Sequence, residues 1–409
     1  MKRKALGAVI AQAAQAGIGL LLQILVARLL GIEEYGRFAI LYGVVIVATA
    51  VVTGLIGDSL VVLDRSQRAL RAGLEAMLVL TSIVLAVGAF LIAWLTGFSD
   101  PWESALFAVA LAAFAVEEIV RRLLIAHLSF VRTALTDAVG FVVALAIILT
   151  VHFAGTLSLA AFLGGIAAGQ IVATVIGWFL VPRVDRRLVG LRGADLAAVW
   201  RYGMWRGLQQ VLRPSLFTVV RLLVLAGAGL TAVGLLEAAR TYTSPLILVI
   251  GGLSSFLFVR FADQHKAGKG ASVREADRVV GFLLIGTVVM SAIAVVLIPW
   301  VSPLLFDVTV DPLAVIAWLA YGMSVAIVTP YGALGAVGGR QIAVFVIRLS
   351  DTVLAILAAI VLLALGAEPS TLPFALAAAS MLGGVGLRWL VSSTGRSEDP
   401  SGGRRPGGE

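Results

Sequence analysis

Four arginines and two glutamines, Arg206, Arg213, Arg221, Arg240, Gln209 and Gln210, sit in stretches otherwise apolar enough for a lipid bilayer. An arginine at the bilayer centre costs roughly 2.5–3.5 kcal/mol even on a lenient insertion scale, so each calls for a partner. At 100° per residue, Arg206, Gln209, Gln210, Arg213 and Arg221 share roughly a third of a helix circumference. A shared face of this kind points to protein or water and not to acyl chains. The chemistry on offer is anion binding, because a guanidinium is a planar fork of N–H donors that fits carboxylate or phosphate oxygens. No acid lies in the span that holds Arg213 and Arg221. Their partner is therefore an acid from another span or an anionic ligand. Pro214 and Pro245 are expected to interrupt the backbone hydrogen bonds of their helices.

Other polar groups lie within apolar runs. Gln12, Gln15 and Gln23 share one face near the N-terminus, and Glu237, Arg240, Thr241 and Ser244 share another. Glu237 with Arg240, and Arg348 with Asp351, are three residues apart and can pair as helix glue or serve ion coupling. In EEIVRRLL the spacing pairs Glu117 with Arg121 and Glu118 with Arg122, an anchoring arrangement or a proton-coupling one. Asp58 and Asp137 read as solvated or capping groups near helix ends. The histidines, 127, 152 and 265, are too far apart in sequence for metal-ligand spacing, so no metal site is expected. AGKGAS has the wrong spacing for a phosphate-binding loop, and no serine, acid and histidine set is identifiable. No catalytic residue and no cofactor are assigned, and the expectation is not an enzyme; a coupling ion, a proton or Na+, is compatible with the reading.

The elements that position these residues follow from composition. The chain has 409 residues, 60% hydrophobic and only 13% charged, with a mean hydropathy of +1.04. Soluble domains are nearer a quarter charged. Without strand-sized alternation the spans must be helical, because only helices and closed barrels satisfy the backbone in lipid. The expected fold is all-α, a polytopic membrane protein of about twelve spans near 7–30, 36–57, 74–95, 104–126, 134–153, 159–181, 202–226, 232–257, 279–301, 311–333, 342–365 and 372–393.

Lysine and arginine concentrate in alternate connections, such as Arg65, Arg68 and Arg71, then Arg183, Arg186, Arg187 and Arg192. By the positive-inside rule both termini face the cytoplasm and the protein resides in the cytoplasmic membrane. The +8 net charge therefore belongs to inner loops and does not argue for nucleic acid. There is no cysteine, which excludes disulfides and thiolate chemistry. The connection 182–201 is either an interfacial helix or a solvated linker. It separates an N-lobe, 1–181, from a C-lobe, 202–393, and the Gly- and Pro-rich tail 394–409 should be disordered. An offset of 198 residues aligns Gln12 with Gln210, Gly31 with Gly229, Gly36 with Gly234 and Gly54 with Gly252. Two parallel six-helix repeats around a central cavity are the expected architecture.

The segment QILVARLLGIEEYGRFAILYGVV, with Ala27, Arg28, Leu29, Leu30, Gly31, Tyr35, Gly36, Phe38 and Ala39, resembles polysaccharide repeat-unit flippases of the O-antigen type. GLLEAARTYTSPL is a second, weaker echo. That family belongs to the multidrug/oligosaccharidyl-lipid/polysaccharide exporter superfamily. The resemblance implies translocation of a polyprenyl-diphosphate-linked oligosaccharide by alternating access, with membrane lipids and polysaccharide-assembly proteins as partners. It implies that Arg213 and Arg221 hold the diphosphate, with Arg206, Arg240 and Arg28 contributing charge. Gln12, Gln15, Gln209 and Gln210 would contact sugar hydroxyls.

Two departures separate the chain from its relatives. Related lipid II flippases usually have fourteen spans, and related drug antiporters often carry an acid in the first span, where this chain has none before Glu33. The alternatives are a small-molecule secondary transporter, of drug-antiporter or major-facilitator type, a membrane glycosyltransferase or polymerase, and an envelope-assembly scaffold. LDRSQRAL lacks the glycine step of the major-facilitator loop, and no large catalytic loop is visible.

Overall fold

The computed structural model describes residues 2–266 and 273–393. The AGKGAS segment, 267–272, lies outside the described residues, as does the tail 394–409, expected to be disordered. In chain order the helices are α1 (Lys2–Leu30), α2 (Ile32–Val52, continued by a π-helical turn Thr53–Gly57 and by Asp58–Val62), α3 (Arg68–Leu95), α4 (Pro101–Ala126), α5 (Phe130–Phe153) and α6 (Leu159–Leu180). The stretch Leu196–Lys266 is two helices, α7 (196–228) and α8 (230–266), divided at Gly229. Then come α9 (Val273–Phe306), α10 (Pro312–Val337), α11 (Gln341–Ala364) and α12 (Leu372–Ser392). Each of the twelve expected spans falls on one of these helices.

Local chemistry explains several boundaries. Asp100 and Asp311 cap α4 and α10 by accepting from Glu103 N at 2.8 Å and Leu313 N at 2.9 Å, each followed by a proline at the first helical position. Pro214 and Pro245 do not interrupt their helices: Gly229 is the one non-helical residue within Leu196–Lys266. The connection 182–195 is not an interfacial helix. Gly190 and Gly193 hold φ of 77° and 73°, and the segment is fastened to α3, where Glu75 accepts from the backbone N–H groups of Val189 and Gly190.

Among the described residues ten helices are long and apolar enough to cross a membrane by length and composition. One of the ten, Leu196–Ile250, contains both α7 and the start of α8. The helix left out is α4, which carries Glu117, Glu118, Arg121 and Arg122 in its second half. Other helices present apolar faces outward. α3 exposes Ile83, Val84 and Ile92, and α9 exposes Phe282, Ile285 and Val296, faces that require hydrocarbon as their solvent.

The chain forms two compact units, Met1–Gly234 and Leu235–Glu409. In the first unit α7 lies antiparallel along α2, and glycines set the spacing. A Cβ on Gly54 would meet the backbone of Gly207, and one on Gly203 would meet the carbonyl of Leu55. Near the other end, a Cβ on Gly36 would strike the Leu230 carbonyl, and one on Gly234 would strike the Ile32 carbonyl. Those two contacts are reciprocal under the 198-residue offset. The turns before them also match, with Gly31 at φ 86°, ψ 173° and Gly229 at φ 82°, ψ −179°. Only glycine adopts this conformation without strain.

In the second unit the core centres on α10, where Trp318 and Tyr321 are fully buried. Trp318 Nε1 donates to the Leu236 carbonyl at 3.1 Å, and Tyr242 donates to the Ala294 carbonyl at 2.6 Å. These bonds tie α8 to α10 and α9.

Candidate functional site

The residues singled out from the sequence fall into three groups. The first is the arginine face of α7. Arg221 is buried, 4% exposed, with its guanidinium against α2 at Gly43. A side chain at Gly43 would occupy the guanidinium's position and crowd Thr218 Oγ1. Arg213 is half-buried, its guanidinium carbon 5.7 Å from the centre of the Phe217 ring, a cation–π contact. Arg206 and Gln209 are half-buried, and Gln210 is exposed. The face therefore grades from solvent-accessible at Gln210 to packed protein at Arg221.

On α1, Gln12 and Arg28 are exposed. Gln23 is used structurally, donating to the Gly19 carbonyl and accepting from Tyr35 Oη at 3.4 Å.

The second group is an acidic cavity of about 210 Å³ inside the first unit. Glu117 and Glu118 of α4 and Asp137 of α5 line it, together with Gln15, Thr49 and Gln170. Its apolar wall includes Tyr42, Phe114 and Phe141. Glu118 is the hub of the charge network. It accepts from Thr53 Oγ1 at 2.9 Å and from Arg122 Nε at 2.7 Å, and it lies 3.6 Å from Arg121 Nη1. Arg121 turns to Asp137, with Nε 3.4 Å from Oδ2.

The expected Glu117–Arg121 pair is not formed, because Arg121 is shared between Glu118 and Asp137. Glu117 is buried on the cavity wall and makes no hydrogen bond or ion pair within the described residues. Asp137 is likewise no helix cap but a wall residue of the cavity. Its signal was available in the sequence: Thr133, Thr136, Asp137 and Gly140 follow helical spacing, a small polar stripe on one face of α5.

The third group lies in the second unit. Glu237 accepts from Arg240 Nε at 2.7 Å, and Asp351 accepts from Arg348 Nη1 at 2.8 Å, both three residues apart. Asp351 also receives Thr352 Oγ1 at 3.3 Å and packs on Gly383 of α12, where a Cβ would strike its carboxylate. The sequence reading missed a further cluster. Asp277 of α9 accepts two hydrogen bonds from Arg388 of α12, at 3.0 and 2.9 Å, and one from Tyr331 of α10 at 2.6 Å. Nothing in the spacing of residues 277, 331 and 388 announces this clasp.

Chemically, the first unit thus combines a buried and a half-buried guanidinium on one helix with a separate pocket of carboxylates. The former suits an anion; the latter suits a proton or a small cation.

No family model matches the chain, and no curated protein matches it either. Solved structures do. An inward-facing multidrug resistance MATE family transporter of the MOP superfamily is similar with a TM-score of 0.72 and 14% identity, covering 95% of this chain and 99% of that one. The eukaryotic MATE transporter AtDTX14 gives 0.66 and 16%, covering 96% and 95%. The lipid II flippase MurJ, in an inward closed conformation, gives 0.77 and 13%, covering 94% of this chain and 87% of that one. The chain therefore has the fold shared by MATE transporters of the MOP superfamily and the lipid II flippase MurJ.

Proposed function

We propose that this protein is a flippase that carries a polyprenyl-diphosphate-linked oligosaccharide across the cytoplasmic membrane by alternating access. The observation that carries the reading is the α7 face, where Arg206, Gln209 and Arg213 lie half-buried on one side of a single span and Arg221 is packed further along the same helix. Guanidinium groups in a low-dielectric setting suit a diphosphate, and glutamines such as Gln209 and Gln210 suit sugar hydroxyls. The resemblance of residues 23–45 to repeat-unit flippases and the fold shared with MurJ support the same substrate class. In this reading Glu117, Glu118 and Asp137 form the coupling group, taking up and releasing a proton or Na+, with both termini in the cytoplasm.

A second reading is favoured by one observation. A carboxylate cavity with aromatic walls also suits an organic cation, as a drug antiporter of the MATE type would need.

One experiment separates the two. Purified protein is titrated with a short-chain polyprenyl diphosphate-linked sugar and with a lipophilic aromatic cation. Native protein, Arg213→Ala and Glu117→Gln are compared, with thermal melts as the folding control. The flippase reading expects saturable binding of the diphosphate lipid that Arg213→Ala weakens and Glu117→Gln spares. Cation binding lost in Glu117→Gln, with no binding of the diphosphate lipid, overturns it in favour of the antiporter.

A further inference from the structure

The connection between α6 and α7 forms a second cationic site that the transport reading does not use. It borders an open groove of about 930 Å³ lined by Arg65, Arg68, Arg71, Arg183, Arg187 and His127, with Asp64 and Asp185 as its acids. Most of the acid charge is already committed. Asp185 faces Arg65 Nη1 at 2.8 Å and His127 Nε2 at 2.7 Å, and Asp64 accepts from the backbone and hydroxyl of Ser66. Arg71 is held by the carbonyls of Val184 and Asp185. Arg68, Arg183 and Arg187 remain exposed and make no hydrogen bond or ion pair within the described residues.

Two features identify what would meet them. The strap is fixed in place, since Glu75 holds Val189 and Gly190 and Asp195 N donates to the Ala69 carbonyl at 3.0 Å. Interleaved with its arginines, Val184, Leu188 and Leu191 are 68%, 72% and 55% exposed. Three such side chains on one fastened segment, where α2 ends and α3 begins, gain from cover by lipid. Cations beside them lie at headgroup depth.

We infer that the α6–α7 strap binds the phosphate headgroup of an anionic phospholipid through Arg68, Arg183 and Arg187, with the acyl region against Val184, Leu188 and Leu191. The ligand chemistry is a phosphate monoanion tethered to hydrocarbon, and the inference stands independently of which substrate the protein transports. Inner-leaflet anionic lipid would then fasten the segment that joins α6 to α7.

The test uses delipidated full-length protein in detergent, titrated with phosphatidylglycerol or phosphatidylcholine and read by native mass spectrometry. Phosphatidylglycerol is expected to bind preferentially. At about 5-fold per surface arginine, the triple variant R68Q/R183Q/R187Q should weaken its binding roughly 100-fold and leave phosphatidylcholine unchanged. Millimolar inorganic phosphate should not displace the lipid. Native protein alone gives a second check, because affinity must fall as NaCl rises. Equal binding of the two lipids, an unchanged triple variant, or affinity independent of salt overturns the inference. Displacement by inorganic phosphate overturns the lipid assignment and makes the site one for free phosphate.

Discussion

The crossing of α2 with the start of α8 makes the most stringent prediction. Gly36 and Gly234 each leave room for a backbone carbonyl of the opposite segment, Leu230 and Ile32 respectively. Gly36→Ala has two opposed effects. Replacing a helical glycine gains about 1 kcal/mol of helix propensity. The new methyl, however, meets backbone, which has no rotamer to move away, and overpacking of this kind costs about 1–3 kcal/mol or more. Contact with backbone puts the cost at the upper end of that range, so the clash wins and a net loss of up to about 2 kcal/mol is expected, read as a fall of a few degrees in apparent Tm.

Gly88→Ala in α3 is the matched control. Its Cβ would meet nothing within 4 Å, so only the propensity gain remains, and the protein should melt at or slightly above the native temperature. Gly234→Ala should mimic Gly36→Ala. The double variant should lose less than the sum, because separating the two segments for one methyl opens space for the other. The assay is a detergent-phase thermal melt of all four variants. If Gly36→Ala melts with Gly88→Ala, the close crossing is not present in the protein. Strict additivity in the double variant would mean that the two glycines do not share one contact.

Further outcomes follow from single contacts. Glu118→Gln weakens bonds to Thr53, Arg122 and Arg121 at once and should lower stability by about 1–3 kcal/mol, whereas Glu117→Gln should melt within a degree or two of native protein. Equal melts for the pair would refute the hub. Tyr331→Phe removes one hydrogen bond to Asp277 and should cost about 1 kcal/mol in native protein but nothing in an Asp277→Ala background, measured as a double-mutant cycle. Glu75→Gln weakens the hold on Val189 and Gly190, so limited proteolysis should cut within 183–193 faster than in native protein while the helical cores stay intact. Cleavage at an unchanged rate would show that the strap is held by other means.

Residue types made the helices legible, because all spans but α4 are apolar for about 20 residues and glycines marked several turns. The 198-residue offset put Gly31 opposite Gly229, and both adopt the same backbone conformation. Contacts within one helix turn were legible too: Glu237–Arg240 and Arg348–Asp351 pair as their spacing allows. What spacing could not reveal is competition from elsewhere in the chain. Spacing pairs Arg121 with Glu117, but Asp137 on the next helix and Glu118 draw it away. The composition of 182–201 leaves an interfacial helix and a solvated linker both open; its end from Leu196 belongs to α7, and Glu75, more than a hundred residues earlier, holds Val189. The Asp277, Tyr331 and Arg388 clasp draws on three helices, and only the packed fold brings them together.

The charges of α4 bear on how the protein is made. Two glutamates and two arginines in its second half, where an arginine at the bilayer centre would cost roughly 2.5–3.5 kcal/mol, give this helix little reason to leave the translocon on its own. Its partners come from both sides of it in the chain: Thr53, already synthesised, and Asp137, which emerges only with α5. Stable insertion of α4 therefore waits for a later segment. α4 then settles in the membrane only once α5 supplies Asp137. A nascent chain in which α4 but not yet Asp137 has left the ribosome should hold α4 uncommitted to the bilayer.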